Sequence, residues 1–273
     1  MSPRVARADG WVRRGGAAGL ALVDGDVHVW LADLDQPAWP LLRLADTLSP
    51  DERERAERLR FPRDQRRFTV ARGVLRTLLA GYVHHEPAAV RLRYGPRGKP
   101  ELATPSGGPP IRFNSSRSQG HALYAFARGR RVGVDLEALR AVPEAAAIAE
   151  RWLPVRERDA VLATPPDRRD EAFLRSWTCT EAYVKALGVG LVDDLEDIGA
   201  PLTVATLPTR RVAGGDVGGS AGWSLEALPP VDGYVAALVV EAEDHRLRCW
   251  VLDAAGTAAV SPIRRGRRSR ARR

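Results

Sequence analysis

Sulfur is scarce in this chain: 273 residues carry two cysteines and one methionine. Cys179 and Cys249 cannot build a disulfide framework. Neither has a second cysteine or a histidine at zinc-ligand spacing, so thiolate metal sites drop out. A nucleophilic Cys179 would have Glu181 close by, but a lone helical cysteine reads better as a small core residue. Long apolar runs are missing too, and nothing approaches the about 18 apolar residues that a membrane helix needs. Arg4, Arg7, Arg13 and Arg14 ahead of Gly19-Leu20-Ala21-Leu22-Val23 imitate a signal peptide, yet the apolar run stops at Asp24. A cytoplasmic protein without membrane association is the expectation. A phosphate loop is also absent: Gly95-Pro96-Arg97-Gly98-Lys99-Pro100 has no Ser or Thr after the lysine, and Pro100 pushes Lys99 toward an extended backbone. What remains there is a rigid turn displaying Lys99.

The charge that is present is unevenly placed. The formal net charge is +8, but residues 264–273 hold seven arginines and no acid, so removing them leaves a body at +1. Residues 259–273 therefore read as a disordered basic tail, either solvated or able to touch nucleic acid or an acidic protein. The near-neutral body lacks the basic, aromatic-studded face of a nucleic-acid binder. With 44% hydrophobic residues, the chain can bury one large core or two small ones.

Local signals then order the chain. Residues 1–19 read as a disordered N-terminus. Val27 to Leu31 reads as a strand after the Asp24-Gly25-Asp26 turn. Ser49-Pro50-Asp51-Glu52 carries a capping box and opens a solvated, Arg/Glu-rich helix to about Arg60. A longer helix runs from Pro62 to about Tyr82, its apolar side bordered by Arg67, Arg72 and Arg76, which either snorkel or hold an anion. Another strand, Arg91 to Tyr94, precedes the Lys99 turn. A polar loop, Phe113-Asn114-Ser115-Ser116-Arg117-Ser118, leads into strands His121 to Ala127 and Arg131 to Glu137, which the Arg128-Gly129-Arg130 turn suggests are a hairpin. Alternation puts Val132, Val134 and Leu136 on one face and Gly133, Asp135 and Glu137 on the other. Two carboxylates two residues apart suit a hard cation, or else a solvent-facing strand. Thr203 to Leu207, Trp223 to Leu228, Tyr234 to Glu241 and Arg248 to Leu252 read as later strands around a glycine-rich loop.

Glu181 is the misplaced charge. On a helix it falls inside the apolar stripe drawn by Phe173, Leu174, Trp177, Val184 and Leu187, with Lys185 one turn on. A carboxylate facing a core needs a lysine, a metal ion or both.

Gly133-Val134-Asp135-Leu136-Glu137 followed by Trp177-Thr178-Cys179-Thr180-Glu181-Ala182-Tyr183-Val184-Lys185 resembles the 4′-phosphopantetheinyl transferases, of the longer kind typified by the surfactin-synthetase activating enzyme. The Ser49-Pro50 helix start, the Arg67 to Arg76 helix, the Gly98-Lys99-Pro100 turn and the Phe113-Asn114-x-Ser116-x-Ser118 segment follow that family's order. The resemblance implies an α+β fold of two similar subdomains about a pseudo-twofold axis, each a small antiparallel sheet packed with a long helix. These would span residues 20–130 and 131–258, with coenzyme A in the cleft between them. It implies magnesium held by Asp135, Glu137 and Glu181, with Glu181 taking the proton from a serine of an apo acyl or peptidyl carrier protein and Lys185 contacting the pyrophosphate. It places Lys99 and Ser116 on coenzyme A phosphates, Arg117 near the 3′-phosphate, and Arg67 and Arg72 at the adenine and phosphate end. It further implies a monomer with a broad carrier range. Two positions depart from the family: Arg117 stands where a histidine is usual, and Thr180 where a lysine is usual. The other readings of the same residues are a magnesium-dependent phosphotransferase or nucleotide hydrolase, and a nucleic-acid binder acting through its tail.

Overall fold

The computed structural model describes residues 10–17, 19, 21–103, 108–188, 209–212, 222–229, 231–242 and 244–253. In chain order its elements are β1 (Val12–Arg14), β2 (Asp26–Asp33), α1 (Leu41–Asp46), α2 (Pro50–Glu57), α3 (Pro62–Val83), β3 (Leu92–Tyr94), β4 (Pro100–Leu102), β5 (Ile111–Ser118) and β6 (His121–Arg128). They continue with β7 (Val132–Ala138), α4 (Ala145–Trp152), α5 (Val155–Leu162), α6 (Pro166–Leu187), β8 (Thr209–Val212), β9 (Trp223–Ala227), β10 (Tyr234–Val240) and β11 (Arg246–Leu252). None of the described helices is long and apolar enough to cross a membrane.

The fold is α+β, built as two helix-on-sheet units packed sheet to sheet. One sheet has the order β1-β11-β2-β6-β5, the other β7-β10-β9-β8. The apolar stripe of α3, including Val70, Val74 and Leu78, covers the first sheet at Trp30, Tyr124, Phe126 and Trp250. Cys179, Ala182, Tyr183 and Ala186 of α6 cover the second at Trp223, Leu225, Ala237 and Val239. Between the sheets, Val29, Leu31, Leu123 and Ala125 meet Val134, Leu136, Leu238 and Val240. Strands buried on both faces read as nearly continuous apolar runs, which is why β6 carries Ala122 to Ala127 without a charge.

That double burial overturns the hairpin expected across Arg128-Gly129-Arg130. β6 is flanked by β2 and β5, while β7 pairs with β10. The turn at Gly129, with φ +68°, instead hands the chain from one sheet to the other. The Asn114 to Ser118 segment is not a loop either. It is strand β5, in register with β6 from Ile111 opposite Arg128 to Ser118 opposite His121, closed by a turn with Gln119 at φ +48°.

Other expectations change as well. Part of the stretch expected to be disordered up to Gly19 forms β1, which runs parallel to β11. β11 itself returns to the first sheet beside β2, so that sheet is mixed rather than antiparallel, and its last-placed strand comes from the far end of the chain. The face of α2 is not wholly solvated: Glu52 is buried, its Oε2 accepting from the Ser49 N–H at 3.0 Å and from Arg76 Nε at 2.6 Å. Helices α4 and α5 had no sequence counterpart. The proposed strand 203–207, the glycine-rich loop and the tail 259–273 lie outside the described residues.

Candidate active site

Gly133 brings α6 against β7. A Cβ there would lie 2.0 Å from the Ala182 carbonyl oxygen and 2.4 Å from the Ala186 nitrogen, so helix backbone rests directly on strand backbone. Only glycine permits that approach. Two residues on, Asp135 therefore faces the last turns of α6.

The open edge of β7 is matched by side chains of β5, the edge strand of the other sheet. Asn114 Oδ1 accepts the Val134 N–H at 2.9 Å, and Ser118 Oγ accepts the Ala138 N–H at 3.0 Å. Ser116 Oγ donates to Asp135 Oδ1 at 2.6 Å, and Ser118 Oγ donates to Glu137 Oε2 at 3.0 Å. Alternate polar residues of one strand thus stand in for a neighbouring strand, satisfying β7 N–H groups that would otherwise be buried unpaired.

At the centre of this seam Lys185 Nζ donates to Asp135 Oδ1 at 2.5 Å and to Ser116 Oγ at 3.3 Å, and lies 3.7 Å from Glu181 Oε2. Asp135 is buried, and its Oδ2 has no hydrogen-bond partner. Burial raises the Asp135 carboxyl above its ordinary range against the pull of Lys185 and Ser116. Burial likewise raises Glu181, with Lys185 opposing and Asp135 and Glu137 adding to the rise. The partner that the stripe position of Glu181 demanded is therefore Lys185, shared with Asp135.

Glu137, whose charge reaches both Asp135 and Glu181, also has partners of its own. Its carboxylate is held by Ser118 and by Arg140 Nη1 at 2.9 Å. Among the described residues, no group of three or more His, Cys, Asp or Glu side chains is arranged to hold a metal ion, so the expected trio of Asp135, Glu137 and Glu181 is not assembled. The pair Asp135 and Glu181 does converge. With the orphaned Asp135 Oδ2 it fits a magnesium ion that takes few carboxylates and completes its shell with phosphate and water.

The cations divide by location. Arg67 makes a two-point pair with Asp35, at 2.8 and 2.6 Å, beside the Gly120 turn. Arg72 and Arg117 instead meet over the ring of Phe68, 5.9 and 5.5 Å from its centroid, where Arg55 joins them at 5.6 Å. The nearest carboxylate, Glu52, stands 3.4 Å from Arg72 and is already bonded by Arg76. Burial lowers the affinity of Arg117 for its proton, and the charges of Arg72 and Arg55 lower it further. These guanidinium groups therefore crowd one ring, with Glu52 pairing Arg72. The ammonium of Lys99 donates to the carbonyls of Lys185 and Ala186. Thr180, where a lysine is usual, is fully buried and its hydroxyl donates to Ser176 O.

A profile described as the 4′-phosphopantetheinyl transferase superfamily matches residues 131–239, and one described as the N-terminal part of a 4′-phosphopantetheinyl transferase matches residues 36–127. The chain is 40% identical over 231 residues to the 4′-phosphopantetheinyl transferase HetI of Nostoc, covering 85% of this chain and 94% of that one. The chain belongs to the 4′-phosphopantetheinyl transferase superfamily. It is accordingly an enzyme that places phosphopantetheine on carrier proteins. A human relative, L-aminoadipate-semialdehyde dehydrogenase-phosphopantetheinyl transferase, is 27% identical over 174 residues, covering 61% of this chain and 56% of the human one. Within this transferase, sequence reading missed Arg55 and Arg140, and it took Asn114 and Ser118 for loop residues. The period-two polar pattern Asn114-x-Ser116-x-Ser118 was the available sign that a strand presents them together.

Proposed function

We propose that the seam between β5, β7 and α6 is where the phosphopantetheine of coenzyme A passes to a carrier-protein serine. The observation that supports this reading is the convergence of Glu181, Lys185, Asp135 and Ser116 between the two units. The serine oxygen forms a bond to the β-phosphorus while the bond from that phosphorus to the bridging oxygen breaks, and 3′,5′-ADP leaves with the electron pair. Glu181 takes the serine proton; its raised affinity for protons moves it toward what a base working near neutrality needs. Lys185 and Ser116 bind the pyrophosphate oxygens as negative charge shifts onto the leaving group. Asp135 and Glu181 would hold magnesium, whose chemistry there is neutralisation of pyrophosphate charge. Arg72 and Arg117, with Arg55, bind the 3′-phosphate, and Arg67 flanks that end.

On this reading the protein is of the long, surfactin-synthetase-activating type, acts as a cytoplasmic monomer, and uses neither membrane nor nucleic acid. The domain division keeps the cation-rich unit before residue 130 and the transferase motifs after it. The test is the mass of several apo acyl and peptidyl carrier proteins after incubation with the chain, coenzyme A and magnesium. A gain of one phosphopantetheine is expected, and no gain on any carrier would sink the proposal. Deleting residues 264–273 should leave transfer intact; loss of transfer would show that the tail takes part.

A further inference from the structure

Only two of the 42 basic residues are lysines, Lys99 and Lys185. They sit together: the ammonium of Lys99, carried on the turn between β3 and β4, donates to the backbone carbonyls of Lys185 and Ala186. Those carbonyls belong to the last turn of α6, where helical bonding has run out and the helix dipole is negative. The Val184 carbonyl is already taken by the Gly188 N–H at 2.9 Å, and Gly188 closes the helix at φ +76°. The Lys99 stem lies across this end, with Cδ 3.6 Å from where a Gly188 Cβ would be. A compact ammonium can serve two neighbouring carbonyls where a planar guanidinium would need more room, a physical reason for lysine in a chain that otherwise uses arginine.

We propose that Lys99 is a positioning residue, tying the C-terminal turn of α6 to the other unit and so setting where Lys185 and Glu181 meet Asp135. The proposal rests on the reading that Lys185 and Glu181 carry the transfer. Gly133 fixes the same helix against β7, and Lys99 fixes its end against the β3–β4 turn. Between these two contacts the last turn cannot slide along the seam. The role differs from that of a phosphate ligand. Lys99 also lines a cavity of about 360 Å³ with Arg112 and Arg131, so a direct contact to bound anion is the competing role.

The experiment uses Lys99→Met, which keeps the stem and removes the charge. Amide hydrogen exchange over residues 184–188 should accelerate about tenfold, with the β6 and β7 amides unchanged. Transfer should lose about 30-fold in kcat with the coenzyme A KM within about twofold, as expected when reacting groups are misplaced rather than unbound. Lys99→Arg should recover part of kcat and part of the protection. A KM that rises tenfold with kcat unchanged would make Lys99 a ligand and overturn the proposal, as would unchanged exchange at the end of α6. If the wild-type chain transfers nothing to any carrier, the functional reading fails, and the exchange measurement still decides whether Lys99 clamps the helix.

Discussion

Each long helix bonds a buried carboxylate of a neighbouring element through a basic side chain, and the two pairs differ in their surroundings. On α3, Arg76 is 3% exposed. It bonds Glu52 at 2.6 Å and the Val90 carbonyl at 2.8 Å, while the other Glu52 oxygen faces Arg72 at 3.4 Å. On α6, Lys185 bonds Asp135 at 2.5 Å but keeps 29% of its side chain exposed, and Asp135 Oδ2 has no partner. Each pair leaves one carboxylate oxygen without a hydrogen bond, but that of Glu52 faces a second cation in a pair closed off from solvent, whereas the second pair stays open to solvent through Lys185. A sealed pair can only hold a fold, whereas an open one can exchange a partner for a phosphate or a cation.

Breaking the open pair should therefore remove chemistry and spare the fold. Glu181→Gln is expected to lower transfer about 10³-fold, the scale of a lost general base, with an unchanged circular dichroism spectrum and unfolding midpoint. Transfer within tenfold of wild type would remove Glu181 from the base role. Breaking the closed pair should do the reverse. Arg76→Ala strands a buried carboxylate, so urea unfolding should show a loss of about 3–5 kcal/mol while kcat of the remaining folded enzyme is preserved. If kcat fell as far as stability, the division between the two helices would be wrong.

Acid should also separate the units. His28 of β2 is buried, its Nδ1 2.8 Å from the Tyr82 hydroxyl, and burial lowers its pKa to about 4 against the nearby charge of Asp26. Because the unfolded chain binds this proton more readily, stability is lost as pH falls from about 6.5 to about 4, on the order of 3 kcal/mol in all. Asp135, whose carboxyl is raised, contributes in the opposite sense. Unfolding free energies at pH 7.5 and pH 4 for wild type and His28→Gln isolate the histidine, since the variant should lose this part of the slope. Equal slopes would show that folding does not lower the proton affinity of His28.

Much of this contrast was readable from residues, and its limits have a physical cause. Ser49 and Glu52 mark the start of α2, and the stripe around Glu181 marks α6, because caps and helical periods are local. Strand identity was local too: β6 and β7 were recognised as strands. Their partners were not, because which strand a strand pairs with is settled by burial on both faces across the whole chain. The same limit hid β11, which crosses from the end of the chain to lie beside β2. At the site, Asp135, Glu181, Lys185 and Ser116, all legible as candidates in the sequence, are brought together. Glu137, expected from its spacing to Asp135, is also bonded by Arg140, a pairing that no period predicts. Arg72 and Arg117 meet over Phe68 only once β5 has packed beside α3.

That meeting gives the smallest and most discriminating prediction about the two units. If the first unit grips the far end of coenzyme A and the second does the chemistry, Arg117→Ala should raise the coenzyme A KM about tenfold and leave kcat within about twofold. Arg117→His sharpens the point. Arginine stays charged at any working pH, so wild-type binding should not change between pH 6 and 8 on account of this position. An imidazole with an ordinary pKa near 6.5 is charged at the lower pH and mostly neutral at the higher, so the variant should bind coenzyme A well at pH 6 and worsen toward pH 8. Isothermal titration at both values reads this without any carrier protein. A flat profile for the histidine variant would mean that Arg117 holds Phe68 and the packing of α3 rather than an anion, and the cation cluster of the first unit would then be as closed as the pair of Arg76 and Glu52.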